Sequence, residues 1–232
     1  MHLTRKTSAA KVASASGARC KVLIVDDHPL TRLGMARMIE LEPDLAVCGE
    51  ADSPATALAA MQSLKPRVVL ADLSMPGGEG LEMIKDITTR HPDATVLVVS
   101  MHDEIIYAER ALRAGAQGYL MKTEAPRKLI EAIRRVLQGR IYLSEKMAGR
   151  ILDVFSGRSV NNSVMGKLTD REFEVFNLLG QGLTTREIGR HLRVSAKTVE
   201  THRLHIREKL QISTGPALIQ HAVRWAGAQK LI

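Results

Sequence analysis

Five side chains with chemical potential stand at the ends of short apolar runs in this chain. Residues 21–25 stop at Asp26-Asp27, the run Val68-Val69-Leu70-Ala71 stops at Asp72, residues 95–99 stop at Ser100, and residues 118–121 stop at Lys122. The run before Asp72 is rich in Val and Leu and is followed by the turn signal Met75-Pro76-Gly77-Gly78. Such a segment suits a strand buried on both faces of a parallel sheet. Its last residue then lies at the carboxyl edge, where open α/β sheets bind ligands in the crevice at which strand order reverses. Taken alone, an aspartate there is more often a helix cap or a turn former. Carboxylates, a hydroxyl and an ammonium from four segments on one edge are not a chance arrangement.

The elements that must position these groups are legible in the hydrophobic pattern. Strands are expected over 21–25, 45–49, 68–71, 95–99 and 118–121. Helices with apolar residues at spacings of three and four are expected over 30–41, 54–63, 80–89, 104–114 and 126–138. That alternation is (βα)5 and predicts an α/β fold, a doubly wound parallel sheet covered on both sides.

The chain has 232 residues, enough for two domains with separate cores. Its two cysteines, Cys20 and Cys48, match neither a metal-ligand spacing nor a disulfide framework, so a reducing cytoplasm is the expected setting. No apolar run reaches membrane-spanning length, and no membrane partner is expected. Charge is uneven. Residues 1–20 hold four basic and no acidic groups, residues 21–140 hold fifteen and seventeen, and residues 141–232 hold fourteen and eight. A polyanion is therefore expected at the ends of the chain. Residues 1–20 read as a disordered basic tail without a secretory h-region.

Residues 21–139 resemble a response-regulator receiver domain of the CheY-like kind. The resemblance rests on Val25-Asp26-Asp27-His28-Pro29, Asp72-Leu73-Ser74-Met75-Pro76-Gly77, Val99-Ser100, and Gly115-Ala116-Gln117-Gly118-Tyr119-Leu120-Met121-Lys122. Two carboxylates about 4 Å apart repel by roughly 1 kcal/mol in water and by more in a drier cleft, so three together need a cation. Oxygen ligands beside a phosphate favour Mg2+. The resemblance implies that Asp26, Asp27, Asp72 and the Ser74 backbone carbonyl hold Mg2+. It also implies that Asp72 accepts a phosphoryl group from a sensor histidine kinase while Lys122 neutralises the transferring oxygens. Ser100 is then the switch hydroxyl, with Tyr119 following it into the space vacated. Thr123 stands where many receivers have proline. His28, beside Pro29 at a helix start, reads as a solvent-exposed turn residue rather than a metal ligand or acid catalyst.

Residues 140–167 read as a linker, with a short amphipathic segment over 144–155 followed by an aperiodic stretch. From Leu168 the signals are helical. Thr169 begins a capping box with Glu172, Thr184 caps residues 185–192, Ser195 caps a helix ending at Leu210, and a fourth helix follows over 214–227. On the third of these, Val199, Ile206 and Leu210 share one face while Lys197, Thr201, Leu204 and Glu208 lie opposite. Two helices joined by a short turn, the second cationic, make a helix-turn-helix.

Within a domain expected over 168–232, residues 168 to about 225 resemble the DNA-binding domain of the NarL/FixJ and LuxR-type regulators, through Leu168-Thr169-Asp170-Arg171-Glu172, Gly182-Leu183-Thr184-Thr185-Arg186-Glu187-Ile188 and Val194-Ser195-Ala196-Lys197-Thr198-Val199-Glu200-Thr201-His202. This implies Glu200, Thr201 and Leu204 against base edges of double-stranded promoter DNA, with Lys197, Thr198 and Arg203 nearer the phosphates. The combined architecture implies a two-component transcription regulator, homodimeric when active, with RNA polymerase as a further partner. Two other readings compete. A haloacid-dehalogenase-like phosphatase needs an acid two residues after the nucleophile, where Ser74 stands, so no enzyme is expected beyond Mg-assisted self-phosphorylation and slow self-dephosphorylation. A DNA-binding regulator independent of phosphate, with the receiver as a dimerisation platform, is the alternative.

Overall fold

The computed structural model describes residues 19–75, 80–149 and 167–230. The expected N-terminal tail, the Pro76-Gly77-Gly78 turn and most of the 140–167 linker lie outside them.

Five strands, β1 (Cys20–Val25), β2 (Leu45–Ala51), β3 (Val68–Ala71), β4 (Thr95–Ser100) and β5 (Gly118–Met121), form one all-parallel sheet in the order β2-β1-β3-β4-β5. Five helices follow them in turn: α1 (Pro29–Glu40), α2 (Pro54–Leu64), α3 (Gly80–Arg90), α4 (Glu104–Arg113) and α5 (Ala125–Leu137). The expected elements are present, with ends displaced by a residue or two. β3 is wholly buried, as a strand covered on both faces must be. One core packs α1 and α5 on Ile24, Leu70, Leu97 and Leu120. The other packs α2, α3 and α4 on Leu23, Val69, Val96 and Tyr119.

Strand order reverses between β1 and β3, which opens the crevice at their carboxyl ends. Backbone hydrogen bonding carries the ladder one step past the strands. Asp26 N donates to Ala51 O at 3.0 Å, Asp72 N to Val25 O at 2.8 Å and Lys122 N to Ser100 O at 2.8 Å. The residue after each strand is therefore held by the sheet itself. Gly80 begins α3 so close to Leu73 that an added Cβ would lie 2.7 Å from the Leu73 carbonyl oxygen. Only glycine lets this helix start directly beneath the loop that follows Asp72.

Among the described residues, a helical stretch at 145–149 is followed by four further helices: α6 (Asp170–Gly180), α7 (Thr185–His191), α8 (Ala196–Leu210) and α9 (Gly215–Lys230). The predicted caps form: Thr169 and Thr184 make capping boxes with Glu172 and Glu187, and the Ser195 hydroxyl accepts from Thr198 N. Phe173, Phe176, Ile188, Val199, Ile206 and Leu218 are fully buried between these helices. Their core is continuous with the α4 side of the sheet, so the two halves are in contact. No helix among the described residues is long and apolar enough to cross a membrane.

Candidate functional site

The carboxyl edge of the sheet brings Asp26, Asp72, Ser100 and Lys122 together in a buried pocket. Lys122 Nζ lies 2.7 Å from Asp26 Oδ2 and 2.7 Å from Asp72 Oδ2, bridging the β1 and β3 ends. The other Asp72 oxygen accepts from Ser74 N at 3.0 Å. Burial opposes ionisation of Asp72, but these bonds, the Lys122 charge and the Ser100 hydroxyl hold its carboxyl below the usual aspartate range. Burial pushes the Lys122 ammonium down, and its bonds to Asp26 and Asp72 outweigh that and raise it. The pocket thus holds an ionised nucleophilic oxygen beside a fixed positive charge.

Asp27 stands at the rim. One ligand atom each from Asp26, Asp27, His28 and Asp72 lies within 4.8 Å of the others. Asp27 Oδ1 is a buried oxygen that receives no well-aligned hydrogen bond. Three carboxylates against one lysine leave a negative excess, and the oxygen-rich donor set suits a hard divalent ion. His28 is exposed, as expected of a turn residue, yet it is not remote from the acids. Its Nδ1 lies 3.2 Å from Asp26 Oδ1 and 2.7 Å from Asp27 Oδ1.

Ser100 and Tyr119 both lie buried beside the pocket. Ser100 Oγ lies 3.4 Å from Ser74 Oγ, and Tyr119 is fully buried with its hydroxyl donating to His102 O at 2.8 Å. That bond satisfies the polar end of a large side chain which otherwise fills the core.

In the helix-turn-helix half, α7 and α8 meet through a turn with Arg193 in the left-handed region at φ 55° and Val194 N donating to Gly189 O at 2.9 Å. Lys197, Glu200, Thr201 and Leu204 are exposed on α8, whereas Thr198 and Arg203 are half-buried. Arg203 Nη1 donates to Glu200 Oε1 at 2.8 Å and to Thr185 Oγ1 at 2.6 Å. Exposed Arg186, Arg190 and Arg193 extend the cationic surface along α7 and the turn, and the sequence reading did not single them out.

Residues 22–134 match the response regulator receiver domain family, and residues 166–222 match the LuxR family of bacterial regulatory proteins. The response regulator GacA of Pseudomonas syringae pv. syringae is 39% identical over 204 residues, spanning 88% of this chain and 95% of that protein. The oxygen regulatory protein NreC of Staphylococcus carnosus is 34% identical over 210 residues, 88% of this chain and 97% of its own. The chain belongs to the NarL/FixJ family of response regulators. Among solved structures, RcsB of Salmonella enterica serovar Typhimurium, bound to promoter rprA with the phosphomimetic BeF3−, is similar at 26% identity. The likeness covers 88% of this chain and 98% of that one, with a TM-score of 0.62. NarL/FixJ regulators join a receiver to a DNA-binding domain and are regulators rather than catalysts. Receiver domains use Mg2+, and the acidic cluster of this chain has the matching donor set.

This NarL/FixJ chain also carries a contact between its halves that the sequence reading missed. Ser100 Oγ accepts from His102 N at 3.3 Å, and the His102 ring stacks on Tyr107 with centroids 4.4 Å apart. Tyr107 Oη accepts from Asn177 Nδ2 at 3.1 Å, while Arg110 pairs with Asp170 at 2.6 Å and lies 4.0 Å over the Phe173 ring. Phe173 packs edge-on against Trp225 of α9. Asn177 offered a signal: an amide within the apolar run Val175-Phe176-Asn177-Leu178-Leu179 needs a buried partner.

Proposed function

We propose that this chain is a transcription regulator whose dimerisation and DNA binding are set by phosphorylation of Asp72 by a sensor histidine kinase. The observation that carries this reading is the bridge of Lys122 across Asp26 and Asp72 at the strand-order reversal. An Asp72 carboxylate oxygen attacks the phosphorus of a phosphohistidine, the P–N bond breaks, and the released imidazole nitrogen keeps the electron pair and takes a proton. Asp72 becomes an acyl phosphate. Lys122 then pairs with a phosphoryl oxygen, and Ser100 donates its hydroxyl to another. Asp26, Asp27, Asp72 and the Ser74 carbonyl would hold Mg2+, which when bound neutralises charge on the phosphoryl oxygens. A small phosphodonor serves in place of the kinase, and self-dephosphorylation is slow because no side chain among the described residues is placed to activate water.

The output is promoter DNA. Glu200, Thr201 and Leu204 meet base edges, and Lys197, Thr198 and Arg203 meet phosphates, joined by Arg186 and Arg190 on the flanking helix and Arg193 in the turn. Glu200 and Arg203 must exchange their mutual ion pair for DNA contacts. The active species is a homodimer working in the cytoplasm with RNA polymerase. A second reading, DNA binding independent of phosphate, is favoured by one observation: Lys197, Thr201 and Leu204 are exposed while the receiver is docked.

The test is to incubate the protein with Mg2+ and acetyl phosphate and to locate the added phosphoryl group by peptide mass spectrometry. It belongs on the peptide containing Asp72 and is absent from Asp72→Ala. A phosphoryl group elsewhere, or none, contradicts the reading.

A further inference from the structure

His28 has no part in the function proposed above, and its position is unusual for an exposed side chain. It caps α1 ahead of Pro29, and its backbone N–H donates to Asp26 Oδ1 at 2.9 Å, which clamps the loop against the first acid. The ring then folds back over the acids although its side chain is 61% exposed. Nδ1 is 3.2 Å from Asp26 Oδ1 and 2.7 Å from Asp27 Oδ1. A ring nitrogen has a single in-plane direction for a proton or a lone pair. The Asp26 contact lies within hydrogen-bonding geometry, whereas the closer Asp27 Oδ1 accepts no aligned bond. One direction cannot satisfy both oxygens.

A metal ion resolves this. Two ligand atoms at about 2.1 Å from one ion and at right angles to each other stand about 3 Å apart. Nδ1 is near that spacing from oxygens of two separate carboxylates, and Asp72 supplies a further atom within the same 4.8 Å.

We propose that His28 Nδ1 is a nitrogen ligand of the divalent-ion site formed by Asp26, Asp27 and Asp72. The inference rests on reading that cluster as the receiver's ion site. With Nδ1 as ligand, the ring proton resides on Nε2. The site is then a mixed nitrogen and oxygen site. Carboxylate, carbonyl and water suit Mg2+ and Mn2+, whereas imidazole suits later first-row ions, so His28 gives an ion such as Ni2+ an advantage that an all-oxygen pocket lacks. The ion bound at the phosphorylation site is thereby sensitive to which divalent metal is available.

The experiment uses the full-length protein and three probe ions, with no phosphodonor. Mg2+ and Ni2+ affinities are measured by calorimetry for wild type, His28→Ala and Asp27→Asn, and bound Mn2+ is examined by pulsed electron paramagnetic resonance. Wild-type Mn2+ is expected to show coupling to a directly bonded 14N that His28→Ala abolishes. His28→Ala is expected to weaken Ni2+ by about 10-fold or more while leaving Mg2+ unchanged. Equal loss of Mg2+ and Ni2+ in His28→Ala would overturn the proposal, because His28 would then only position Asp26. So would Mn2+ bound without 14N coupling, or coupling that persists in His28→Ala; in each of these cases the ion site itself stands. If wild type binds none of the ions, or Asp27→Asn binds them all unchanged, the reading of the acidic cluster fails and the proposal falls with it.

Discussion

Asn177 Nδ2 donates to Tyr107 Oη across 3.1 Å, and this bond joins α6 of the DNA-binding half to α4 of the receiver. Both groups are buried, so each depends on the other for its hydrogen bond. Removing Asn177's amide leaves a tyrosine hydroxyl without that partner in the docked arrangement, a penalty of about 1–3 kcal/mol. Asn177→Leu is therefore expected to shift the unphosphorylated protein toward separated domains. Small-angle scattering checks this: the radius of gyration should rise in Asn177→Leu and stay the same in a control such as Ile219→Ala, which alters a half-exposed side chain of α9.

Glu174 makes the same contact pH-dependent. Burial raises its carboxyl to about 7 against the opposing bond from Arg171, and Asp170 and Arg110 act on it with smaller, opposite effects. The receiver side presents Tyr107 and His102, and α7 presents His191 to the same cleft. Its folded pKa lies above its unfolded value, so the native state holds the proton more tightly. The destabilisation from ionised Glu174 is absent below about pH 4.5, grows as pH rises, and is complete above about 7. Its ceiling is about 3 kcal/mol. Glu174→Gln should be more stable than wild type at pH 8 and lose that advantage near pH 5, as read by urea denaturation at each pH.

The two roles expected on α8 separate in salt titrations. Lys197→Ala should weaken binding to all DNA sequences and lower the salt slope by about one counterion. Thr201→Ala should instead change the preference among sites, by about 1–3 kcal/mol at one base pair. Fluorescence anisotropy on a panel of sites distinguishes them, and uniform losses for both would refute the assignment.

Much of the fold was legible because its signals are local and agree with one another. Four apolar residues closed by an aspartate read as a buried strand, and Thr169 with Glu172 read as a cap, since each depends only on neighbours in the chain. The sheet edge followed, because parallel topology forces strand ends together. What escaped notice depended on docking. Arg110 reads as an ordinary surface residue of an amphipathic helix, and nothing nearby reveals that Phe173 and Asp170 will cover it. His28 reads as a turn residue, since its approach to Asp27 comes from the way the loop folds back. Tyr119 reads as a strand residue, but its inward hydroxyl depends on the His102 carbonyl, a loop atom with no signature in the pattern.

The central claim is that Asp72 controls DNA binding. Its most direct test measures affinity for DNA and oligomeric state of wild type and Asp72→Ala, each with and without a small phosphodonor and Mg2+. Wild type alone should gain affinity and dimerise when the donor is added. Equal binding by both proteins, unaffected by the donor, would contradict control through Asp72 and leave a DNA-binding protein whose acidic pocket does not govern it.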